Sequence, residues 1–554
     1  MKKLIYSTIV FGLLLFIMVA CVKDNFDFNR WDKEVSLYPS LAAPIAWGDL
    51  SVIDAINAYD STGSIVINRD GFISIIYNAN VQSNDVNDII FIPNQQKSSV
   101  IGSSEIDFSG FDELGEELTV TSEFLLTLDM FNSDCEIDSL ILKSGMLNIT
   151  SQKSFQHTIA AKVSFPSITK DGQALVIDLN YPQPGHSYQT SFNNDLTGYT
   201  VDMSQTATGY NEIPIEVEIT MYWYSNDNSG NYMIDVDLVD MDYSRIHGYF
   251  GYNTLIFDLD TVNIELFKNK DLNIEDYYFR DPQFRVYYWN SYGIPTNFYF
   301  NHMTAYSRTE DILYNIMDQE GSLPLDSANP YYVSYPLIYS EIKMDSIVLD
   351  RDNSNIDEVV SKQPKWISFI AHAHTNPLGL NHNNFATDDS KIEAKVEIEL
   401  PLWGYVHNFH SSDTVDFDFN DIYGETQMIS RLQLRLDMQN GLPVEALAQL
   451  YFIDENNIIL DSLLYEDEGK IIAAADVDGE GRVIDFARKI TILEMDRDRV
   501  EQIKETKKLV YRVQANSSDY DNQTLVKIYD DYRVKFDIAV EADFEIDIDL
   551  DTIN

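Results

Sequence analysis

The chain reads as mainly β: tandem antiparallel β-sandwich modules with a few short helices, set behind an N-terminal signal segment. Three observations predict this. Apolar and polar residues alternate at period two, as in Ile213-Pro214-Ile215-Glu216-Val217-Glu218-Ile219, the pattern of a strand with one buried face. The same sequence landmarks return in the same order along the chain. Apolar residues make up 45% and aromatic residues 12% of the 554, enough to build cores in spite of a net charge of −51. The acidity is therefore not that of a disordered tail. It does repel nucleic acid and anionic membrane surfaces, which excludes a polyanion as the main partner.

Residues 1–20 open with Met1-Lys2-Lys3, continue without a charge from Leu4, and end Met18-Val19-Ala20 before Cys21. A basic start, an apolar middle and small residues before a cysteine describe a secretory signal. The last four residues resemble a bacterial lipobox. That resemblance implies that Cys21 is lipidated and becomes the mature N-terminus, holding the protein on a membrane by its acyl chains. A transmembrane anchor is the alternative. The uncharged run is at the short edge of a span, Ser7, Thr8 and Gly12 dilute it, and an anchor leaves the cysteine unexplained. Residues 21–35 form a polar tether. Lys23-Asp24 with Asp27 nearby resembles the export signal of Bacteroidota lipoproteins, which implies the outer membrane and its cell-surface face, with the periplasmic face as the alternative.

Residues 36–123 read as a small N-terminal β-rich domain. Leu50 to Ile56 suits one short helix. Ser64 to Asn68 and Phe72 to Tyr77, separated by Asp70-Gly71, read as a hairpin, because the turn residues accept positive φ and the flanks are β-branched.

From about residue 124 the chain repeats itself. Phe284 to Asn290 leads into Gly293-Ile294-Pro295, and Leu434 to Asn440 leads into Gly441-Leu442-Pro443, with Gly145 to Ser151 as a weaker copy. Alternating strands at 213–221, 392–400 and 532–540 close each unit. Gly248-Tyr249 and Gly404-Tyr405 make a third landmark. Short helices precede two of the closing strands: Asn355-Ile356-Asp357-Glu358 has a capping-box arrangement, and Asp496 to Lys507 is acidic at its start and basic at its end. These landmarks divide the chain into β-sandwich modules at 124–268, 269–426 and 427–554. A strand, an Asn/Gly/Pro turn and a returning strand resemble late-embryogenesis-abundant type 2 modules, which implies an immunoglobulin-like sandwich. The whole chain resembles the large uncharacterised outer-membrane lipoproteins of the Bacteroidota, which implies a location and no activity.

Two cysteines, Cys21 and Cys135, leave no intrachain disulfide once Cys21 carries lipid, so each module must stand on its own core. Cys135 reads as a small buried hydrophobe.

Asp476-Val477-Asp478-Gly479-Glu480-Gly481 places oxygens at loop positions one, three and five, as a Ca²⁺ loop does, but Ala487 stands where the bidentate Glu belongs. A glycine-rich hairpin turn is the favoured reading, with Asp476, Asp478 and Glu480 as weak Ca²⁺ candidates. The alternating acids at 235–237, 258–260, 416–418 and 541–549 read as solvated strand faces. His372-Ala373-His374 puts two imidazoles on one face of a strand, a spacing zinc can use. Thr375-Asn376-Pro377 follows, where the familiar hydrolase pattern would add Asp and His. No nucleophile elbow, phosphate-binding loop or His-Glu-x-x-His helix occurs, so no enzyme and no cofactor are expected. The positive signal is aromatic: Tyr287-Tyr288-Trp289, with Tyr277-Tyr278 and Tyr331-Tyr332, since exposed rings stack on sugars or anchor protein interfaces. The expectation is a lipid-anchored, non-enzymatic envelope protein, a scaffold, adhesin or accessory subunit with a protein or glycan partner. Its alternative is a carbohydrate-binding lipoprotein in polysaccharide capture. A metal-dependent hydrolase would need His372 and His374 in a concave pocket.

Overall fold

Period-two alternation says where strands are, and the backbone pairing says which sheet each one joins. The computed structural model describes residues 34–59, 63–79, 82–85, 90–130, 132–185, 187–267, 275–307, 309–417, 429–464 and 470–549; Cys21, the signal segment and most of the tether lie outside the described residues. The chain first lays down β1 (Ser40–Ser51), β2 (Ile73–Asn78) and β3 (Gln95–Gly102). Three runs of seven strands follow. The first comprises β4 (Glu117–Thr127), β5 (Glu136–Lys153), β6 (Thr158–Lys170), β7 (Gln173–Tyr181), β8 (Tyr188–Asp195), β9 (Glu212–Tyr222) and β10 (Asn231–Tyr249). The second comprises β11 (Thr254–Asn263), β12 (Gln283–Asn290), β13 (Thr296–Ser307), β14 (Ile312–Asn315), β15 (Lys343–Leu349), β16 (Pro364–Thr375) and β17 (Lys391–Pro401). The third comprises β18 (Phe409–Asp416), β19 (Ile429–Asn440), β20 (Val444–Ile453), β21 (Ile459–Ser462), β22 (Ala487–Asp496), β23 (Lys508–Ser517) and β24 (Arg533–Phe544).

Each run forms an antiparallel sandwich of two layers, those of the first joined into one sheet by the short strand Thr200–Asp202, and each borrows one strand from the N-terminal trio. The first pairs β3-β10-β5-β8 over β4-β9-β6-β7, the second β2-β17-β12-β15 over β11-β16-β13-β14, the third β1-β24-β19-β22 over β18-β23-β20-β21. Counting the borrowed strand as the first of eight, all three have the order 1-8-3-6 over 2-7-4-5. That is the double Greek key of a jelly roll, in place of the expected immunoglobulin-like sandwich. The loans run in reverse: the earliest strand completes the last sandwich. Residues 36–123, expected as a domain of their own, are instead dealt out among the three cores. Alternation could not show this, because it fixes the face a strand buries and not its neighbour. The expected hairpin does form: 64–67 pairs with β2 around Gly71 at φ +81°.

The sequence landmarks have physical roles. Asn290 and Asn440 are buried at 0% and 1% exposure, and each side chain ties a strand end. Their Oδ1 atoms accept from the backbone N–H of Tyr292 and Leu442, each at 2.9 Å. Their Nδ2 atoms donate to the carbonyls of Ser334 and of Val444 and Ala473. Asn148 is no such corner; it lies within β5 opposite Asn193 and Asp237. Gly248 (φ +144°) and Gly404 are glycine for one reason: a Cβ would run into the carbonyl oxygen of Glu136 or Tyr278. The expected helix near Leu50 to Ile56 runs over Val52–Tyr59, while the two later helices are shorter than the sequence suggested. In Ile356–Val360 the expected capping box is absent, because Asn355 turns its side chain to Asn315 and Met317 instead. Arg497–Gln502 is capped as expected, by Asp496 accepting from Arg499 N–H.

The described chain forms two compact units. One holds residues 56–270 and 277–404, and thus the first two sandwiches; the other holds 1–55, 271–276 and 405–554, and thus the third. Within the first unit the two jelly rolls share backbone: Asn384–Thr387 pairs with the end of β10, and Phe385 bridges Gly293. The Gly251 carbonyl accepts from Thr375 Oγ1 and Asn376 Nδ2 across the same seam. The cores are built mainly on apolar side chains: Val163, Val217, Ile219 and Ile234 in the first sandwich, Phe284, Phe300, Ile367 and Ile398 in the second. The second keeps an apolar cavity of about 50 Å³ between its sheets, beside Ala371, Ala373 and Phe298. The third sandwich centres on Phe452, Met495, Val500 and Ile503. Cys135 is 1% exposed, and burial pushes its thiol up to about 12.

Candidate functional site

Strand β16 alternates without a break over 369–375. Phe369, Ala371 and Ala373 turn into the core, so His372 and His374 face outward, half-buried. The register then fixes their company. Thr254 of β11 and Asn297 of β13 flank His374, while Ile256 and Tyr299 flank His372. At the far end of the same face Trp366 lies between Asn263 and Tyr306. Tyr332 stands opposite Asn297, and Leu313 opposite Tyr306.

The rings are ordered. The His374 imidazole is stacked between Tyr252, at 4.9 Å and 18°, and Tyr299, at 5.3 Å and 23°. Trp366 stacks on Tyr306 at 5.4 Å. Hydrogen bonds lock the arrangement: Thr254 Oγ1 to His374 Nδ1 at 3.1 Å, His374 Nε2 to the Tyr299 hydroxyl at 3.1 Å, and that hydroxyl to His372 Nδ1 at 3.3 Å. Burial, and then the neighbouring His372, hold His374 below the ordinary histidine pKa, so it stays neutral near pH 7. Tyr252, Ile256 and Tyr332 remain 49%, 58% and 55% exposed. None of the face positions named here is Asp, Glu, Lys or Arg. The corresponding face of the first sandwich differs: Glu216 and Glu218 of β9 lie opposite Ser164 and Lys162 of β6.

The aromatic triplet on β12 is split by the pleat. Tyr288 is 5% exposed and belongs to the core, where its hydroxyl accepts from Ser334 N–H at 3.1 Å; it offers no binding surface. Tyr287 and Trp289 face outward, half-buried, among charges. Tyr287 lies opposite Lys395 and Trp289 opposite Glu393, beside ion pairs of Arg285 with Glu399 and Lys395 with Glu397. The loop at 476–481 is a hairpin turn between Asp476–Val477 and Val483–Asp485. Asp478 Oδ1 accepts from the backbone N–H of Glu480 and Arg482, each at 2.9 Å, which holds its carboxyl below the usual range. Asp476 and Glu480 are exposed. Among the described residues no group of three or more His, Cys, Asp or Glu is placed to hold a metal ion; His372 and His374 have hydroxyl partners instead.

Sequence reasoning flagged the two histidines and missed Tyr252, Tyr299, Tyr306 and Trp366. For Tyr299, Tyr306 and Trp366 the signal was an aromatic ring at an outward position of a strand; Tyr252 precedes β11 in a loop and gave none.

No protein-family model matches the chain, and no curated protein matches it. Among solved structures, a Parabacteroides distasonis protein thought to be secreted aligns over 91% of this chain and 99% of its own, at 11% identity and a TM-score of 0.25. The VP2 subviral particle of infectious bursal disease virus aligns over 90% and 87%, at 8% and 0.13. The glycoside hydrolase domain of Endo-D from Streptococcus pneumoniae aligns over 49% and 37%, at 9% and 0.12. At such TM-scores these likenesses carry no argument.

Proposed function

We propose that this chain is a lipid-anchored, non-enzymatic binding protein of the bacterial outer membrane, displayed at the cell surface, and that its second jelly roll binds a neutral carbohydrate chain. One observation carries the ligand: a sheet face of stacked Tyr, His and Trp rings, whose carboxylate contact, to Asp311, lies at the Tyr306 end, in a protein of net charge −51. Pyranose rings present C–H faces to aromatic rings and hydroxyls to neutral donors and acceptors, and here His374, Tyr299, Asn297 and Thr254 supply both. A flat, open face suits a polymer rather than a small molecule sealed from water. The histidines hydrogen-bond to Tyr and Thr hydroxyls, which supports binding rather than acid–base catalysis.

Affinity electrophoresis of the full chain through gels containing neutral polysaccharides tests the reading. Tyr252→Ala and Tyr332→Ala, both at exposed positions, should abolish retardation by a polysaccharide that slows the wild type. Unchanged retardation would overturn it. The anchor is tested separately: Cys21→Ser should lose radioactive palmitate label and leave the outer-membrane fraction. A second reading, a protein partner, is favoured by the exposed Leu337, Ile338, Leu378 and Leu380 in loops of the same unit; blank gels with a co-purifying envelope protein would support it.

A further inference from the structure

The two jelly rolls that share backbone leave a cleft between them, on a different surface from the β16 face. It encloses about 720 Å³, within the range of small-molecule sites. Its walls are held in fixed relation by the pairing of Asn384–Thr387 with β10 and by the Gly293–Phe385 bridge. The lining is rich in hydroxyls, from Ser244, Ser291, Ser340, Thr387 and Ser390; those of Ser244, Ser291 and Ser390 already donate to the carbonyls of Ile141, Lys391 and Ser291, so they meet a ligand as acceptors. Arg245 projects from β10 with its guanidinium 5.1 Å over the Tyr339 ring, and the two residues also line an adjoining hollow of about 190 Å³.

Most charge in the cleft is paired, and Asp389 lies exposed near the Lys143 ammonium. Asp388 is held by Lys143 at 2.7 Å, Lys391 by Glu393 at 2.7 Å, and Glu341 by Lys343. Arg245 is exposed and makes no ion pair among the described residues. A guanidinium stacked by its face on an aromatic ring keeps its N–H edge free, and that edge matches a carboxylate with two parallel hydrogen bonds. Hydroxyl side chains around it match a polyol. The strong negative charge of the protein disfavours a densely anionic ligand.

We propose that this cleft binds a sugar residue bearing a single carboxylate, a uronic acid, with Arg245 on the carboxylate, Tyr339 beneath the guanidinium and the serine and threonine hydroxyls on the ring hydroxyls. The site is independent of the neutral-glycan face, and each stands or falls alone.

Titration calorimetry of the full chain with methyl galacturonide, and with methyl galactoside, the same sugar after carboxyl reduction, tests it. The acid should bind about tenfold more tightly than the reduced form, as one charge-assisted paired contact gives. Arg245→Gln should erase the difference, Arg245→Lys should keep part of it, and Tyr252→Ala should leave it intact. Equal binding of the two sugars, no binding of either, or an unchanged preference in Arg245→Gln would overturn the proposal. So would N-acetyl-dialanine, a peptide carboxylate, binding as tightly as the sugar acid.

Discussion

The cavity inside the second jelly roll gives a prediction with a calculable size. Ala373 sits on β16 between the two histidines of the aromatic face, turned inward at 3% exposure beside a void of about 50 Å³. At ~24 cal/mol per Å³ of cavity, the void costs about 1.2 kcal/mol. Ala373→Val adds two methyl groups on the cavity side, and a β-branched residue also suits a strand interior. Filling the space should recover about 1 kcal/mol, a rise in Tm of about 2–4 °C for a domain of this size. Urea melts followed by tryptophan fluorescence would show the midpoint shift with the slope unchanged, which marks a change in stability rather than in the unfolding reaction. His372 and His374 keep their positions, so affinity for neutral glycan should not move. A loss of about 1 kcal/mol or more would mean that the sheets are already in contact at Ala373, and the argument from the cavity would fail.

Other outcomes follow from the packing. Gly248→Ala should destabilise the first unit by about 2 kcal/mol or more, since it combines a left-handed φ with a collision at Glu136 O; a melt within 0.5 kcal/mol of wild type would contradict the register of β5 and β10. Lys153 is 0% exposed, its ammonium donating to the carbonyls of His157 and Gln183, and burial lowers its pKa. Because the folded value lies below the unfolded one, the unfolded chain binds the extra proton in the window between them, and stability rises with pH there. Melts between about pH 8 and 10.5 should show that rise in wild type and a flatter profile in Lys153→Met; parallel profiles would refute it. Cys135, raised to about 12 by burial, should stay unreactive to a thiol reagent at pH 8 in the native protein and react once urea unfolds it. Rapid native labelling would contradict its burial.

The mainly β class, the hairpin at 64–77 and the paired Asn corners were legible because each depends on residues near in sequence. Asn290 and Asn440 could be matched by eye since each closes a turn on itself. The borrowed strands were not legible: β2 reads the same whether it pairs with a neighbour in sequence or with β17. The binding face was half legible. His372 and His374 announce a common side of a strand, which Trp366 shares by parity, yet Tyr299 reaches them only through the register of β13, and Tyr252 only through the loop ahead of β11. Tyr288 misled for the converse reason, since a triplet of rings on a strand must send its middle member to the opposite face.

The reversed loans also set a timetable. Ser40 and its partner Glu541 are 501 residues apart, so at about 5–20 residues per second the first strand made waits roughly 25–100 s for its neighbour. The first sandwich closes as soon as β10 is made, the second after β17, and the third only when β24 arrives. Until then the unpaired backbone N–H and C=O groups of β1 are an open template for any strand it meets. A product cut short before β24 cannot hide its own beginning, which makes incompleteness visible to proteases at the opposite end from the break.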